Sequence, residues 1–394
     1  MPAHVADFWV LRRWNSYTPP LPLPEPTRGG GYYIELKEHG FAVDPGFSYL
    51  QNLHQCSIPV SRLEGVLLTH KHIDHTADFE TIRMVHFERA EAARNSDVQL
   101  DAGVLKFFYS DSFTNVETQK LELHSLVSGA AARPLVAGRM DVESFDVMHG
   151  MGAVGLKFRL RLEGEHEYRI GITSDTAYFE GLSTHLVDCD IVVMHLGSID
   201  VRQLASSVFS RYGDEGELRS LLARLKVKHL KDERLLKQIL GCEDFTDLIC
   251  MPAAPLSKKH LGLEGVLRLT RELTNNADSK VKTIILSEFG RELGSFRHKV
   301  AEVLGGVANE HREESNQVKV LTGDIGLRVA MHSSPMACEH DKCGESALAL
   351  IQCTRCLRYF CQEHITEVCL KYKDMAMYYN CPTCLEREYS PPDH

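Results

Sequence analysis

One run of seven residues constrains this chain more than any other, Thr69-His70-Lys71-His72-Ile73-Asp74-His75. Three imidazoles and a carboxylate stand within six positions, directly after the apolar run Val66–Thr69, which has the character of a short buried strand. A turn at the end of a strand lets alternate side chains converge on one point, as a metal ion requires. Imidazole and carboxylate donors without thiolate suit Zn2+, with Mn2+ or Fe2+ as alternatives. The competing reading, a histidine cluster on the surface, does not explain the buried strand that delivers the run.

The flanking sequence supplies a layered α/β domain for this loop. Phe8–Trp14 reads as a first strand, and the proline-rich stretch from Pro19 to Pro26 cannot pair within a central sheet. Past the Gly29-Gly30-Gly31 turn, GYYIEL and FAVDPG form the two strands of a hairpin that ends at the turn Asp44-Pro45-Gly46. The spacing predicts a helix over Thr76–Ala93, and strands at Val154–Leu162, Tyr168–Ile172, Ile191–Met194, Thr283–Leu286 and Asp324–Val329. Helices fit Leu263–Leu273 and His298–Val307, and strands with helices in both halves of the first 330 residues imply layers. A charged helical insertion is expected over about 201–250. Its basic run Lys226–Lys237 reads as a solvated helix face or as a patch that steers an anion. Ser333-Ser334-Pro335 reads as a linker, which puts a domain boundary at 332/333.

The run at His70 resembles the signature of the metallo-β-lactamase superfamily, and further motifs similar to the family's follow in order over roughly residues 8 to 330. They are His149 in Val147-Met148-His149-Gly150, Asp175 in Thr173-Ser174-Asp175-Thr176 and His260 in Ser257-Lys258-Lys259-His260-Leu261. The resemblance implies a four-layer αββα sandwich, an α/β fold, with two catalytic metal ions. His70, His72 and His149 would hold one ion; Asp74, His75 and His260 would hold the other; Asp175 would bridge them. Asp74 would also orient the nucleophile or take its proton. Asp44-Pro45-Gly46 matches a family turn that supports the metal loops. His195, after the apolar run Ile191–Met194, resembles a histidine of the tRNase Z-like phosphodiesterase branch that helps protonate a leaving oxygen. Here Leu196-Gly197 follows it in place of that branch's usual Glu-Ala, and a strand-end histidine bonded to backbone is the alternative. Ser287-Glu288-Phe289-Gly290 reads as the cap of a helix.

Cysteine usage points to a second metal module. Eight of the twelve cysteines lie between Cys338 and Cys384, in pairs that suit metal binding in a reducing compartment and not a disulfide framework. The pairs are Cys338/Cys343, Cys353/Cys356, Cys361/His364 and Cys381/Cys384, enough for two closed tetrahedral zinc sites. Interleaving would put the first and third pairs on one ion, the second and fourth on the other. The stretch from Cys338 to His364 resembles the AN-one-type zinc finger, although Cys381-Pro382-Thr383-Cys384 replaces that type's final His-x-Cys. Residues 333–394 are therefore expected to form a small zinc-binding domain, one that recruits a protein or docks on the first domain.

The functional expectation is a hydrolase for RNA, DNA or a small nucleotide, acting through a water shared by two ions. A thioester, lactone or ester hydrolase of the same fold, and a silent scaffold, are the alternatives. A net charge of −10 argues against a chain that coats nucleic acid over a long face. No apolar run approaches the roughly 18 residues needed to span a bilayer, and the first residues lack a secretory pattern, so no membrane partner and a cytoplasmic location are expected. A homodimer is compatible with the sequence.

Overall fold

The computed structural model describes residues 4–14, 29–95, 105–110, 121–162, 166–197, 259–289, 297–313, 316–341, 343–370 and 376–389. The expected insertion over 201–250, with its basic run, lies outside the described residues.

Period-two alternation sorts the strands into two facing sheets. In chain order the first sheet takes β1 (His4–Val10), β2 (Tyr32–Leu36), β3 (His39–Val43), β4 (Leu63–Leu68), β5 (Leu105–Ser110) and β6 (Leu121–Leu126). The second takes β7 (Arg133–Val136), β8 (Met140–Asp146), β9 (Val154–Arg161), β10 (Glu167–Ile172), β11 (Ile191–Gly197), β12 (Thr283–Phe289) and β13 (Lys319–Thr322). The chain then returns to the first sheet with β14 (Leu327–Ala337), β15 (Ser346–Gln352) and β16 (Tyr359–Phe360), giving the order β16-β15-β14-β1-β2-β3-β4-β5-β6. Strands β17 (Thr366–Leu370) and β18 (Ala376–Asn380) pair separately and antiparallel.

Both faces of the inner strands are covered, so their sequences are apolar throughout and do not alternate with polar residues. In β11, Ile191 and Val193 enter the core between the sheets, while Val192, Met194 and Leu196 point to the outer helices. In β2, Ile34 faces inward and Tyr33 outward. Helices α1 (Tyr49–Gln55), α2 (Ile73–Thr76) and α3 (Phe79–Asn95) accompany the first sheet; α1 and α3 cover its outer face through Leu53, Phe79 and Ile82. Helices α4 (Gly262–Asn275) and α5 (Arg297–Asn309) cover the second through Leu267, Leu269 and Leu304. This is the four-layer αββα arrangement. Strands β3, β4 and β5 run parallel, as do β10, β11, β12 and β13. The loops after their carboxyl ends are thereby gathered at one edge, where open α/β sheets place their ligand sites.

The C-terminal module is built into this sandwich. The expected linker Ser333-Ser334-Pro335 lies within β14, which runs through the expected 332/333 boundary and pairs with both β1 and β15. Pro335 is tolerated because the β14–β15 register shifts between Met331 and Met336. Cys353, Phe360, Cys361 and Tyr379 belong to the same buried cluster as Phe158 and Ile170. A buried carboxylate, Asp324, ties the pieces together. It accepts from Arg13 Nε at 2.7 Å, Arg297 Nη2 at 3.0 Å and the backbone N–H of Met377 in β18 at 2.7 Å. The Tyr379 hydroxyl donates to the carbonyl of Thr322 at the end of β13, and the Thr322 N–H donates to Glu367 of β17 at 2.5 Å. Helix α6 (Pro382–Tyr389) closes the chain.

Asp324→Ala removes the carboxylate that two buried guanidinium groups face. It is expected to destabilise the protein by about 3–5 kcal/mol, read as a lower urea midpoint with an unchanged m-value. A loss below about 0.5 kcal/mol, the range of ordinary surface changes, would show that this junction does not hold the module.

Candidate metal centre

The site begins with the turn after β3. Asp44 has left-handed backbone (φ 48°), and its Oδ1 accepts the Thr69 N–H at 2.8 Å. Its Oδ2 accepts the Thr69 hydroxyl at 2.6 Å and the His75 Nδ1–H at 3.0 Å. Two positions on, Gly46 lies so close to the histidine loop that a Cβ there would stand 1.7 Å from the Asp74 carbonyl oxygen. Only glycine permits that approach. Ser174 (φ 54°) donates its hydroxyl to Thr69 Oγ1 at 2.7 Å, and Glu288 (φ 57°) is a third non-glycine residue in the left-handed region at this edge. Such conformations cost about 1–3 kcal/mol each and cluster where the surrounding structure imposes them.

These contacts aim the imidazoles. His75 gives its Nδ1–H to Asp44. His149 gives its Nδ1–H to the Lys259 carbonyl at 2.8 Å. The Thr69 hydroxyl is committed to Asp44, so its oxygen accepts from His70 Nδ1 at 3.1 Å. In each ring the Nε2 lone pair is left pointing inward, the arrangement by which outer partners orient metal-binding histidines.

The inward nitrogens converge on a single atom. Asp175 Oδ2 lies 3.8 Å from His70 Nε2, 3.5 Å from His75 Nε2, 3.7 Å from His149 Nε2 and 3.8 Å from His260 Nδ1. All four are longer than the roughly 2.7–3.2 Å of an ordinary N–H···O hydrogen bond. They match the separation of two atoms on a common ion: bonds of about 2.0–2.1 Å set tetrahedral neighbours about 3.3–3.4 Å apart. His72 Nδ1 stands 3.0 Å from His70 Nε2 and 3.1 Å from His149 Nε2. Three sets of donor atoms therefore lie within 4.8 Å of one another, His70/His72/His149/Asp175, Asp74/His75/Asp175 and Asp175/His195/Glu288, with Asp175 common to all. The fully buried His75 Nε2 and the buried His260 Nδ1 have no hydrogen-bond partner. A divalent ion fits these donors.

Electrostatics agrees. Burial favours the neutral carboxyl of Asp175, yet the facing His75, together with His195 and His260, holds it well below the usual carboxylate range. Burial, with His75 next, pushes His70 well below its ordinary value and so keeps its lone pair free. His75 shows the opposite balance. Burial lowers it, but Asp74, Asp175 and Asp44 raise it to about 10. Without a metal the pocket thus binds a proton at His75, which a metal would displace.

Three placements differ from expectation. His195 is fully buried, with Nδ1 3.2 Å from both Asp175 Oδ1 and Glu288 Oε1 and Nε2 2.8 Å from the Tyr32 hydroxyl. Burial lowers it to about 4. It braces Asp175 from behind and has no open side toward a leaving group. His260 joins none of these sets, although its Nδ1 faces Asp175 Oδ2 at 3.8 Å, the same separation as His70 Nε2. Its ring lies 5.1 Å from that of His149, at the more open side of the cluster. Glu288, read as a helix cap, lies inside β12, is 1% exposed and faces His75, His195 and Arg12. Its signal was an acid at the end of the apolar strand Thr283–Leu286, the same placement that singled out His195. A separate cavity of 690 Å³, lined by Trp9, Arg62, Arg328 and Met377, contains none of these donors.

A sequence profile described as the β-lactamase superfamily domain matches residues 39–237, half of the chain. The chain belongs to this superfamily. No curated protein sequence matches significantly. Among solved structures, the metallo-β-lactamase fold protein YhfI from Bacillus subtilis is 13% identical with a TM-score of 0.51, covering 82% of this chain and 98% of that one. A diphosphatase of the PhnP family is 11% identical with a TM-score of 0.47, covering 82% and 96%. Human tRNase Z, short form, is 12% identical with a TM-score of 0.41, covering 73% and 93%. The fold is that of the metallo-β-lactamases, and among the described residues no helix is long and apolar enough to cross a membrane.

This superfamily member carries two further donor groups, in the interleaved order expected from sequence: Cys338/Cys343/Cys361/His364 and Cys353/Cys356/Cys381/Cys384. The Sγ atoms of Cys343 and Cys361 are 3.9 Å apart, and those of Cys356 and Cys381 3.8 Å apart. Zinc–sulfur bonds of about 2.3 Å give tetrahedral edges of about 3.8 Å. None of these cysteines is in a disulfide. His340 stacks on His364, 4.1 Å between ring centroids, and lies outside both groups.

Because Asp44 fixes His75 through one hydrogen bond, Asp44→Asn is expected to weaken metal binding at the His70–His75 centre about 10–100-fold, measured by competition with a chromophoric chelator. Unchanged affinity would show that the turn does not orient His75.

Proposed function

We propose that this protein is a hydrolase whose His/Asp centre holds two divalent ions and cleaves phosphodiesters in RNA, DNA or a small nucleotide, as in the tRNase Z-like branch its motifs resemble. The observation that supports it is Asp175 Oδ2 facing four inward imidazoles at 3.5–3.8 Å. Two such ions supply Lewis-acid charge and bring the pKa of water down toward 7. A phosphodiester gains most from this, because negative charge builds on its non-bridging oxygens.

The chain's own groups do the rest. Asp74, whose side chain is 19% exposed, is placed to orient the attacking water and accept its proton. His260, whose Nδ1 faces Asp175 Oδ2 at 3.8 Å and has no hydrogen-bond partner, is placed as a further donor at the second ion. His195 and Tyr32 keep Asp175 in position. The two Cys/His quartets hold structural zinc with no open position and fasten β15–β18 to the sandwich. Four ions per chain are expected, two in each region.

Turnover on bis-p-nitrophenyl phosphate, dinucleotides and RNA is expected to exceed turnover on thioesters and lactones. Asp74→Ala should abolish it, by about 10²-fold or more, while the C-terminal zinc stays bound. Hydrolysis confined to thioesters or lactones, or full activity in the Asp74 variant, would contradict the proposal.

A further inference from the structure

A single apolar side chain in water is ordinary, but several around one point mark a contact site. Among the described residues seven large apolar side chains are exposed, and four of them stand on the loops that form the metal centre. Ile73, 67% exposed, lies between His72 and Asp74. Met148 and Met151, 53% and 97% exposed, flank His149. Phe47, 40% exposed, follows Gly46, which packs against the Asp74 carbonyl. The backbone fixes these positions. Met148 donates its N–H to Thr176 Oγ1 at 2.9 Å, and its carbonyl accepts the Ala177 N–H at 2.8 Å, both just past Asp175. Met151 stands in a turn closed by the Ala153 N–H on the Gly150 carbonyl at 3.2 Å, and the Val154 N–H then bonds the Thr69 carbonyl at 3.1 Å. The Asp78 N–H bonds the Pro45 carbonyl at 3.0 Å and ties the Phe47 turn to the histidine loop. Neither metal ligation nor the turn at Gly150-Met151-Gly152 calls for an apolar side chain at Met151, since turns in water favour polar residues and glycine.

We infer that Phe47, Ile73, Met148 and Met151 form a specificity rim, and that the substrate is a small phosphodiester carrying an aromatic group, a nucleobase or an aryl ring, beside the scissile phosphate. The inference rests on the phosphodiesterase reading above and narrows it. Methionine sulfur makes favourable contacts with aromatic rings, and its unbranched chain adapts to their outline. A phenylalanine ring adds an offset-stacked or edge contact. The charge on these loops suits one phosphate. Among their described residues the exposed cations are Lys71, between His70 and His72, and Lys259, next to His260. A polynucleotide is held by many Lys and Arg contacts along its phosphates. Here apolar groups stand beside two lysines instead.

The test uses the metal-loaded full chain and p-nitrophenyl phosphodiesters that share one leaving group and differ in the group retained: methyl, phenyl or thymidine. KM for the phenyl and thymidine esters is expected to lie about tenfold below that for the methyl ester, the effect of partly burying one aromatic ring. Met151→Ser should raise KM for these two and bring it within about threefold of the methyl value, a loss of binding seen in KM. Met151→Leu, still apolar, should keep the difference. A second readout does not depend on turnover. Phenylphosphonate should protect Met148 and Met151 from peroxide oxidation, followed by peptide mass, whereas methylphosphonate should not. Equal KM for the three esters, an unchanged difference in Met151→Ser, equal oxidation with either phosphonate, or a lower KM for RNA oligonucleotides than for the thymidine ester would overturn the rim and leave phosphodiester hydrolysis standing. Turnover of none of the three esters would overturn both.

Discussion

A buried carboxylate facing four imidazoles organises this molecule. Asp175 is 2% exposed, and its Oδ2 lies beyond ordinary hydrogen-bond distance from each of the four rings that point at it. In water such a group would be solvated. Here the compensation must come from positive charge, and the fold is arranged to deliver it. The strained turns at Asp44, Ser174 and Glu288, the missing side chain at Gly46 and the hydrogen bonds to outer ring nitrogens all keep lone pairs directed at one small volume. Under the proposed reading, the stability given up in those conformations is recovered when a divalent ion fills it.

The C-terminal region extends the same logic of fastening. The two Cys/His quartets lie in a region that continues the first sheet and seals the end of β13 through Glu367 and Tyr379. Asp324 then couples the segment after β1, helix α5 and strand β18 in one buried network. The region behaves structurally as a part of the sandwich and not as an appendage on a tether.

What could be read from sequence depended on how local each interaction is. His70, His72, Asp74 and His75 fall within six residues after an apolar strand, so their convergence was legible, as was the pairing of cysteines in short repeats. Asp175 and His149 were legible through the order of family-like motifs in which they stand. Glu288 was not, because its partners Arg12 and His75 lie more than two hundred residues away and a glutamate after a strand equally suits a helix start. His260 and His195 carry the right chemistry, but only packing decides which ring is buried behind Asp175. Strands β6 and β7 escaped notice because they are half-exposed or short, such as Arg133–Val136 with its proline. The segment expected as a linker at Ser333 lies within β14, where Pro335 sits at an irregularity that a sequence pattern does not reveal.

The central claim is that one carboxylate oxygen is shared by two ions. Anomalous diffraction from metal-loaded crystals measures this directly. The account predicts two peaks about 3.5–4 Å apart, one on each side of Asp175 Oδ2, in addition to two within the cysteine quartets. A single peak at the His/Asp centre, or two that do not share Asp175, would contradict it.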